Sequence, residues 1–111
     1  MDKTPIGPST LLFPMPAVLV GSQVEGKANF MTVAWCGIAS SKPPAISVAI
    51  RKSRHTLKGI TEHGTFSVNI PKADMAKTVD YCGIYSGSNQ DKSTVFTTFE
   101  GKLAGVVLIA E

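Results

Sequence analysis

Apolar positions along this chain fall into short alternating runs, broken at regular intervals by glycine, proline and small polar residues. Met15 to Val24 (MPAVLVGSQV) reads as a first strand. Glu25 to Asn29 supplies a hairpin connection in which Gly26 can take positive φ. Phe30 to Ala39 is a second strand; it alternates only partly, so both of its faces are expected to be covered. Ser40-Ser41-Lys42-Pro43-Pro44 is a turn, because the prolines cannot donate to a strand ladder. Ala45 to Ile50 is a third strand, with Ile46, Val48 and Ile50 on one face and the small Ala45, Ser47 and Ala49 on the other. That small-residue face suits either tight sheet packing or the close approach of something flat.

The period changes at Ser53. Ser53 to His63 reads as a short helix with Ser53 as N-cap, Leu57 and Ile60 on its buried face and Gly64 just past its end. Thr65 to Ile70 alternates as a fourth strand, with Phe66, Val68 and Ile70 expected inward. Pro71 opens a second helix over Ala73 to Tyr81, with Met75, Ala76 and Val79 on one stripe. Cys82 to Lys92 is a Gly/Ser/Asn loop, and Leu103 to Ala110 is a last apolar strand. Strands outnumber helices and follow one another closely. The expected fold is therefore mainly β with peripheral helices, a small antiparallel barrel with its helices outside.

Composition narrows the class. At 111 residues, 43% hydrophobic and 17% charged, the chain is expected to be one folded domain, with residues 1–13 a lead-in. No apolar run approaches the roughly 18 residues of a membrane span. Met1 to Thr10 lacks the apolar core of a signal peptide. The two cysteines, Cys36 and Cys82, lack metal-ligand or CxxC spacing, and reduced thiols in a cytoplasmic protein are expected. A net charge of +3 favours anionic small molecules without demanding nucleic acid, and no recognised nucleic-acid motif is present.

The candidate chemistry lies where the third strand meets the first helix. Arg51-Lys52-Ser53-Arg54-His55-Thr56 would, on charge alone, be a solvated face. Its position argues for more. A helix start offers unpaired N–H groups and partial positive charge, Arg51 and Arg54 can bond phosphate oxygens, and Ser53 and Thr56 add hydroxyls. No nucleophile–base pair, triad or metal motif is evident, so no catalytic side chain is assigned.

The pattern Arg-x-Ser-Arg-x-Thr at 51–56, the segment Thr32-Val33-Ala34-Trp35, and the sequence Val79-Asp80-Tyr81-Cys82-Gly83 followed by Ser86-Gly87 and Asp91-Lys92 resemble the flavin reductase-like, flavoredoxin-type family over roughly Pro14 to Lys92. That resemblance implies an FMN-binding split β-barrel of antiparallel Greek-key type. It implies that Thr32, Val33, Ala34 and Trp35 line the flavin ring, and that Ser40 and Ser41 lie near the ribityl chain or phosphate. It further implies that Arg51, Ser53, Arg54 and Thr56 hold the phosphate, and that Ser86, Gly87, Asp91 and Lys92 close the site. One departure is Ser88, where the family often has arginine. Ser93 to Lys102 has no counterpart, and the terminal Leu108-Ile109-Ala110-Glu111 matches a strand after which relatives continue. A barrel short of strands has open edges. A homodimer or strand-exchanged assembly is therefore expected, as in the family.

The function implied is electron transfer from NADH or NADPH through FMN to an acceptor. The alternatives are an FMN-binding electron carrier that does not oxidise nicotinamide nucleotides, and a non-catalytic oligomeric member of the family.

Overall fold

The computed structural model describes all 111 residues. Seven strands and two short helices follow in the order β1 (Val18–Val24), β2 (Lys27–Val33), β3 (Cys36–Ser41), β4 (Pro44–Val48), α1 (Thr56–His63), β5 (Ser67–Asn69), α2 (Ala76–Ile84), β6 (Thr98–Glu100) and β7 (Val107–Ile109). A 3₁₀ turn over Ala73–Met75 leads into α2. The strands form three separate antiparallel sheets, β2-β1-β5, β3-β4 and β6-β7, with no closed barrel. No helix is long and apolar enough to cross a membrane.

The β1–β2 hairpin is the centre of the molecule. Glu25 and Gly26 both take positive φ, 53° and 77°, which matches the right-handed twist of the flanking strands. That turn sets the register Val24↔Lys27 through Val18↔Val33. Alternation then sorts the side chains. Val18, Val20, Met31 and Val33 face Val48, Ile50, Ile60 and Val68. Leu19 and Phe30 face Cys82, Phe96 and Val107. The Phe30 ring lies over its cross-strand partner Gly21, where a Cβ would stand 2.7 Å from the ring. Its other contact is edge-on with Phe96, centroids 5.3 Å apart at 85°. Helix α1 covers the first face by close approach: a Cβ on Gly59 would meet the Gln23 carbonyl at 2.2 Å. Its C-terminus ends as expected, with Gly64 left-handed and its N–H bonded to the Ile60 carbonyl at 2.7 Å.

Several expected boundaries are displaced, each for a physical reason. The second strand breaks at Ala34-Trp35, and the chain leaves one sheet to begin another at Cys36. Pro44 opens β4 opposite Ser41 rather than lying in the turn, since a first strand position tolerates the missing N–H. Ser53 is not the helix cap. It sits in a preceding turn closed by Arg54 N–H to the Arg51 carbonyl at 3.0 Å, and α1 starts at Thr56 with His55 before it. In β5 the expected inward set is only partly right. Val68 packs inward, but Phe66 and Ile70 are exposed. The opposite face of β5 binds by polar contacts instead. Ser67 Oγ donates to the Val107 carbonyl at 2.6 Å, and Asn69 Oδ1 accepts from Ile109 N–H at 3.1 Å, which fastens β7 across β5. Cys82 is buried on α2 rather than starting the loop, and both thiols are free. Ala76, placed on the buried stripe of that helix, is exposed. The last strand shrinks to Val107–Ile109 and pairs with β6, which falls in a segment where no strand was expected.

Candidate functional site

The break at Ala34-Trp35 creates a pocket. Ala49 N–H donates to the Trp35 carbonyl at 2.9 Å, which holds the end of β4 beside the end of β2. Thr32, Val33, Ala34 and Trp35 thereby meet Arg51 and Arg54 around a space of about 170 Å³, completed by Met31 and Ala49. The Thr32 hydroxyl donates to the Val79 carbonyl on α2 and Val33 is buried, so these two residues offer mainly main chain to the pocket. Trp35 is half-exposed, and the Arg51 guanidinium carbon stands 5.7 Å from its ring centroid, close enough for a cation–π contact. A second, larger cleft of about 550 Å³ shares Ala34, Trp35 and Ala49. Residues Ser47 and Val48 and the N-terminal segment near Leu12 and Pro14 enclose it. The small face foreseen for the third strand, Ser47 with Ala49, thus borders open space beside an indole. Ligand pockets commonly span about 300–1,000 Å³. The smaller pocket alone falls short of that range, and the two together lie within it.

A third cleft, of about 380 Å³, continues along the same face of β2. Asn29 lines it as Met31 lines the first pocket, two residues apart on one strand face. Gly87, Asp91 and Lys92 of the loop border this cleft with His55 and Lys58. Between the two lies the Asn29–Thr56 contact, Nδ2 donating to Oγ1 at 2.7 Å within the interior.

The fourteen residues singled out from sequence therefore divide. Thr32, Val33, Ala34, Trp35, Arg51 and Arg54 come together. Gly87, Asp91 and Lys92 line the adjoining cleft. Ser40 and Ser41, at the far end of the β3–β4 hairpin, and exposed Ser53 line neither space. Ser86 also lies outside both; its hydroxyl pairs with that of Ser88 at 2.8 Å. Thr56 is enclosed, its hydroxyl accepting from Asn29, so it ties β2 to α1 rather than presenting a surface donor. Lys92 is 3% exposed, and its Nζ donates to the Phe30 carbonyl at 2.6 Å and the Cys82 carbonyl at 3.3 Å. Burial lowers its pKa, the neighbouring Cys82 sulfur opposes that and Arg54 adds a smaller lowering, while burial raises the pKa of the Cys82 thiol. Asp91 turns outward to Ser93 N–H at 2.9 Å and Lys27 Nζ at 3.3 Å. The Ser93 bonds are the main cause of its pKa of about 2.

Asn29 and Lys58, which line the third cleft, were not among the residues expected from sequence. Asn29 carried a usable signal: it is a polar residue in phase with Met31 and Val33 on a face that is otherwise apolar.

A family model for the flavin reductase like domain matches residues 10–111. An uncharacterized protein of Archaeoglobus fulgidus is 36% identical over 102 residues, covering 90% of this chain and 57% of its own length. Among solved structures, flavoredoxin from Methanosarcina acetivorans is 41% identical with a TM-score of 0.95, over 100% of this chain and 60% of that one. Flavoredoxin of Desulfovibrio vulgaris (Miyazaki F) is 39% identical with a TM-score of 0.90, over 99% and 62%. An FMN-binding protein from Thermus thermophilus is 25% identical with a TM-score of 0.84, over 99% and 62%. The chain thus spans about three-fifths of the length of these relatives.

Proposed function

The chain belongs to the flavin reductase-like family, and from that premise we propose that it binds FMN and passes electrons through it. The observation that carries this reading is the meeting of the Thr32–Trp35 segment with Arg51 and Arg54 around one pocket. The residues fit a flat, anionic cofactor. Ala49 and Ser47 leave room beside Trp35 for a planar ring, and two guanidinium groups can bond phosphate oxygens. FMN would supply the redox-active ring. The protein's part is to hold that ring against main-chain groups of β2, exclude water with Trp35 and set the local charge with Arg51 and Arg54.

The reductant in this reading is NADH or NADPH, and the acceptor is a separate molecule. The names of the two flavoredoxin relatives favour a second version, in which the protein carries electrons without oxidising a nicotinamide nucleotide itself. A homodimer completes the proposal. A second copy would cover the open β3–β4 hairpin and bring another wall to the pocket beside Trp35. The free thiols of Cys36 and Cys82 suit a cytoplasmic setting.

Arg54→Ala tests the phosphate role. FMN affinity is expected to fall roughly tenfold or more, the loss of one charge-assisted bond, while riboflavin affinity stays unchanged. Equal loss for both ligands, or no loss for FMN, contradicts the assignment.

A further inference from the structure

The 550 Å³ cleft beside Trp35 has two unlike walls. The inner wall is the base of the β3–β4 hairpin, where Gly37 pairs across the strands with Ser47 and Cys36 with Val48. The outer wall is the segment that precedes β1. Thr10, Leu12, Pro14 and Pro16 line the cleft, whereas Leu11 and Phe13 between them do not; half-buried Met15 is the one interruption. An extended chain presents alternate side chains to one side in this way, here with no partner strand.

Nothing polar fastens the outer wall. Residues 1–17 make a single main-chain hydrogen bond, and it is internal, from Leu12 N–H to the Thr10 carbonyl at 2.9 Å. No side-chain hydrogen bond or ion pair joins them to the rest of the molecule. Apolar contact holds the segment little better, since Leu12 lines the cleft and is still 83% exposed. The residues opposite, Gly37, Ser47 and Ala49, are too small to give it a socket. Firm structure begins at Val18, which is buried and paired with Val33. A segment with few buried contacts and no hydrogen bonds to its surroundings opens at little cost.

The segment is nevertheless stiff in itself. Of the seven prolines in the chain, Pro5, Pro8, Pro14 and Pro16 precede β1. A stiff piece joined to the body at Ala17 moves as a unit and loses little freedom when it closes. The lining also says what it closes on. No charged side chain borders this cleft, and Arg51 and Arg54 border the smaller pocket instead. The matching occupant is an uncharged, flat group.

We propose that residues 10–16 are a lid, hinged at Ala17, that closes an uncharged planar ring against Trp35 and opens to release it. Naming that ring as the flavin's rests on the function proposed above; the lid itself rests on the unfastened outer wall. Closing excludes water from the indole face of the ring, and opening sets how fast the ring leaves.

Trp35 is the only tryptophan, so its fluorescence reads the cleft with no ligand present. The test is acrylamide quenching of Trp35 in the full chain and in Pro14→Gly with Pro16→Gly, which loosens the segment outside every strand and helix. The quenching constant is expected to rise at least twofold while thermal unfolding stays unchanged. Leu12→Ala, which trims the wall and leaves the backbone alone, should raise it in the same direction. Equal quenching in the parent and both variants overturns the lid. So does an effect seen only where the parent sediments as a dimer, because the wall would then belong to an interface between copies. Dilution of loaded protein, followed by recovery of flavin fluorescence, links the lid to the ring. FMN and riboflavin should both leave the double variant threefold or more faster, since the lid covers the ring and not the phosphate. Unchanged release of both overturns closure over the flavin. A parent that takes no flavin, with quenching that still rises in the variants, defeats the flavin reading and leaves the lid standing.

Discussion

The β2-β1-β5 sheet and the β3–β4 hairpin draw on similar residues, yet one is covered on both faces and the other lies mostly open. Leu19, Val20 and Phe30 are fully buried, whereas Ile38 is 82% and its cross-strand partner Ile46 52% exposed. Much of the difference arises at two residues. Ala34 and Trp35 take the chain out of the first sheet, and from Cys36 onward only Cys36 and Val48 of the hairpin pack back on the core. The whole chain is extended, 55 × 34 × 28 Å with a radius of gyration of 15.5 Å, against about 13 Å for a compact chain of 100 residues. What the contrast teaches is that apolarity in the sheet stabilises the fold, while apolarity in the hairpin and at Trp35 is available for contact with something else.

The sharpest way to break that comparison is to truncate matched positions. Phe30→Ala should destabilise by about 3–5 kcal/mol, since it leaves a cavity between Gly21, Phe96 and Cys82. Ile38→Ala should cost no more than about 0.5 kcal/mol in the isolated chain. Denaturant unfolding of both variants checks this, and equal losses would refute the division. Gly59→Ala comes next, at about 1–3 kcal/mol, because the added methyl collides with the rigid Gln23 carbonyl rather than with a yielding side chain.

The hairpin itself is addressed by Ile38→Ser with Ile46→Ser. If a second copy covers this face, the pair of changes should shift sedimentation from dimer toward monomer while leaving each chain folded. An unchanged assembly would place the dimer contact elsewhere. The smallest effect is expected at Asp91. Its pKa is lowered to about 2 from 3.8, so the ionised form stabilises the folded loop above pH 4. That contribution is lost as pH falls through the window from about 4 to 2. Asp91→Asn should therefore differ in stability from the parent at neutral pH and converge with it near pH 2, as followed by thermal unfolding. A constant difference across that range would exclude the Ser93 and Lys27 bonds as its source.

Alternation made the first hairpin legible in the sequence. It did so because Val18, Val20, Met31 and Val33 share one environment along two strands. The same signal could not find the break at residue 34, since Val33-Ala34-Trp35-Cys36 is continuously apolar whether the strand runs on or turns. Nor could periodicity anticipate β5. There Ser67 and Asn69 hold β7 through side-chain bonds to main chain, an interaction with no hydrophobic signature. In the site, residue type pointed to the right neighbourhood but not to orientation. Arg51 and Arg54 were named as phosphate ligands and do reach the pocket. Thr56 and Lys92 were named for the same hydroxyl and charge, but their side chains turn into the protein. Which way a donor points depends on long-range partners, Asn29 for Thr56 and the Phe30 and Cys82 carbonyls for Lys92, that local sequence does not reveal.

Whether the space beside Trp35 holds a flavin decides the function of this chain. The direct measurement is a titration of the purified protein with FMN, read by visible absorbance and by quenching of flavin and Trp35 fluorescence. Saturable binding near one flavin per chain, weakened by Arg54→Ala, is the predicted result. A folded protein that leaves flavin absorbance and fluorescence unchanged at every concentration would contradict it.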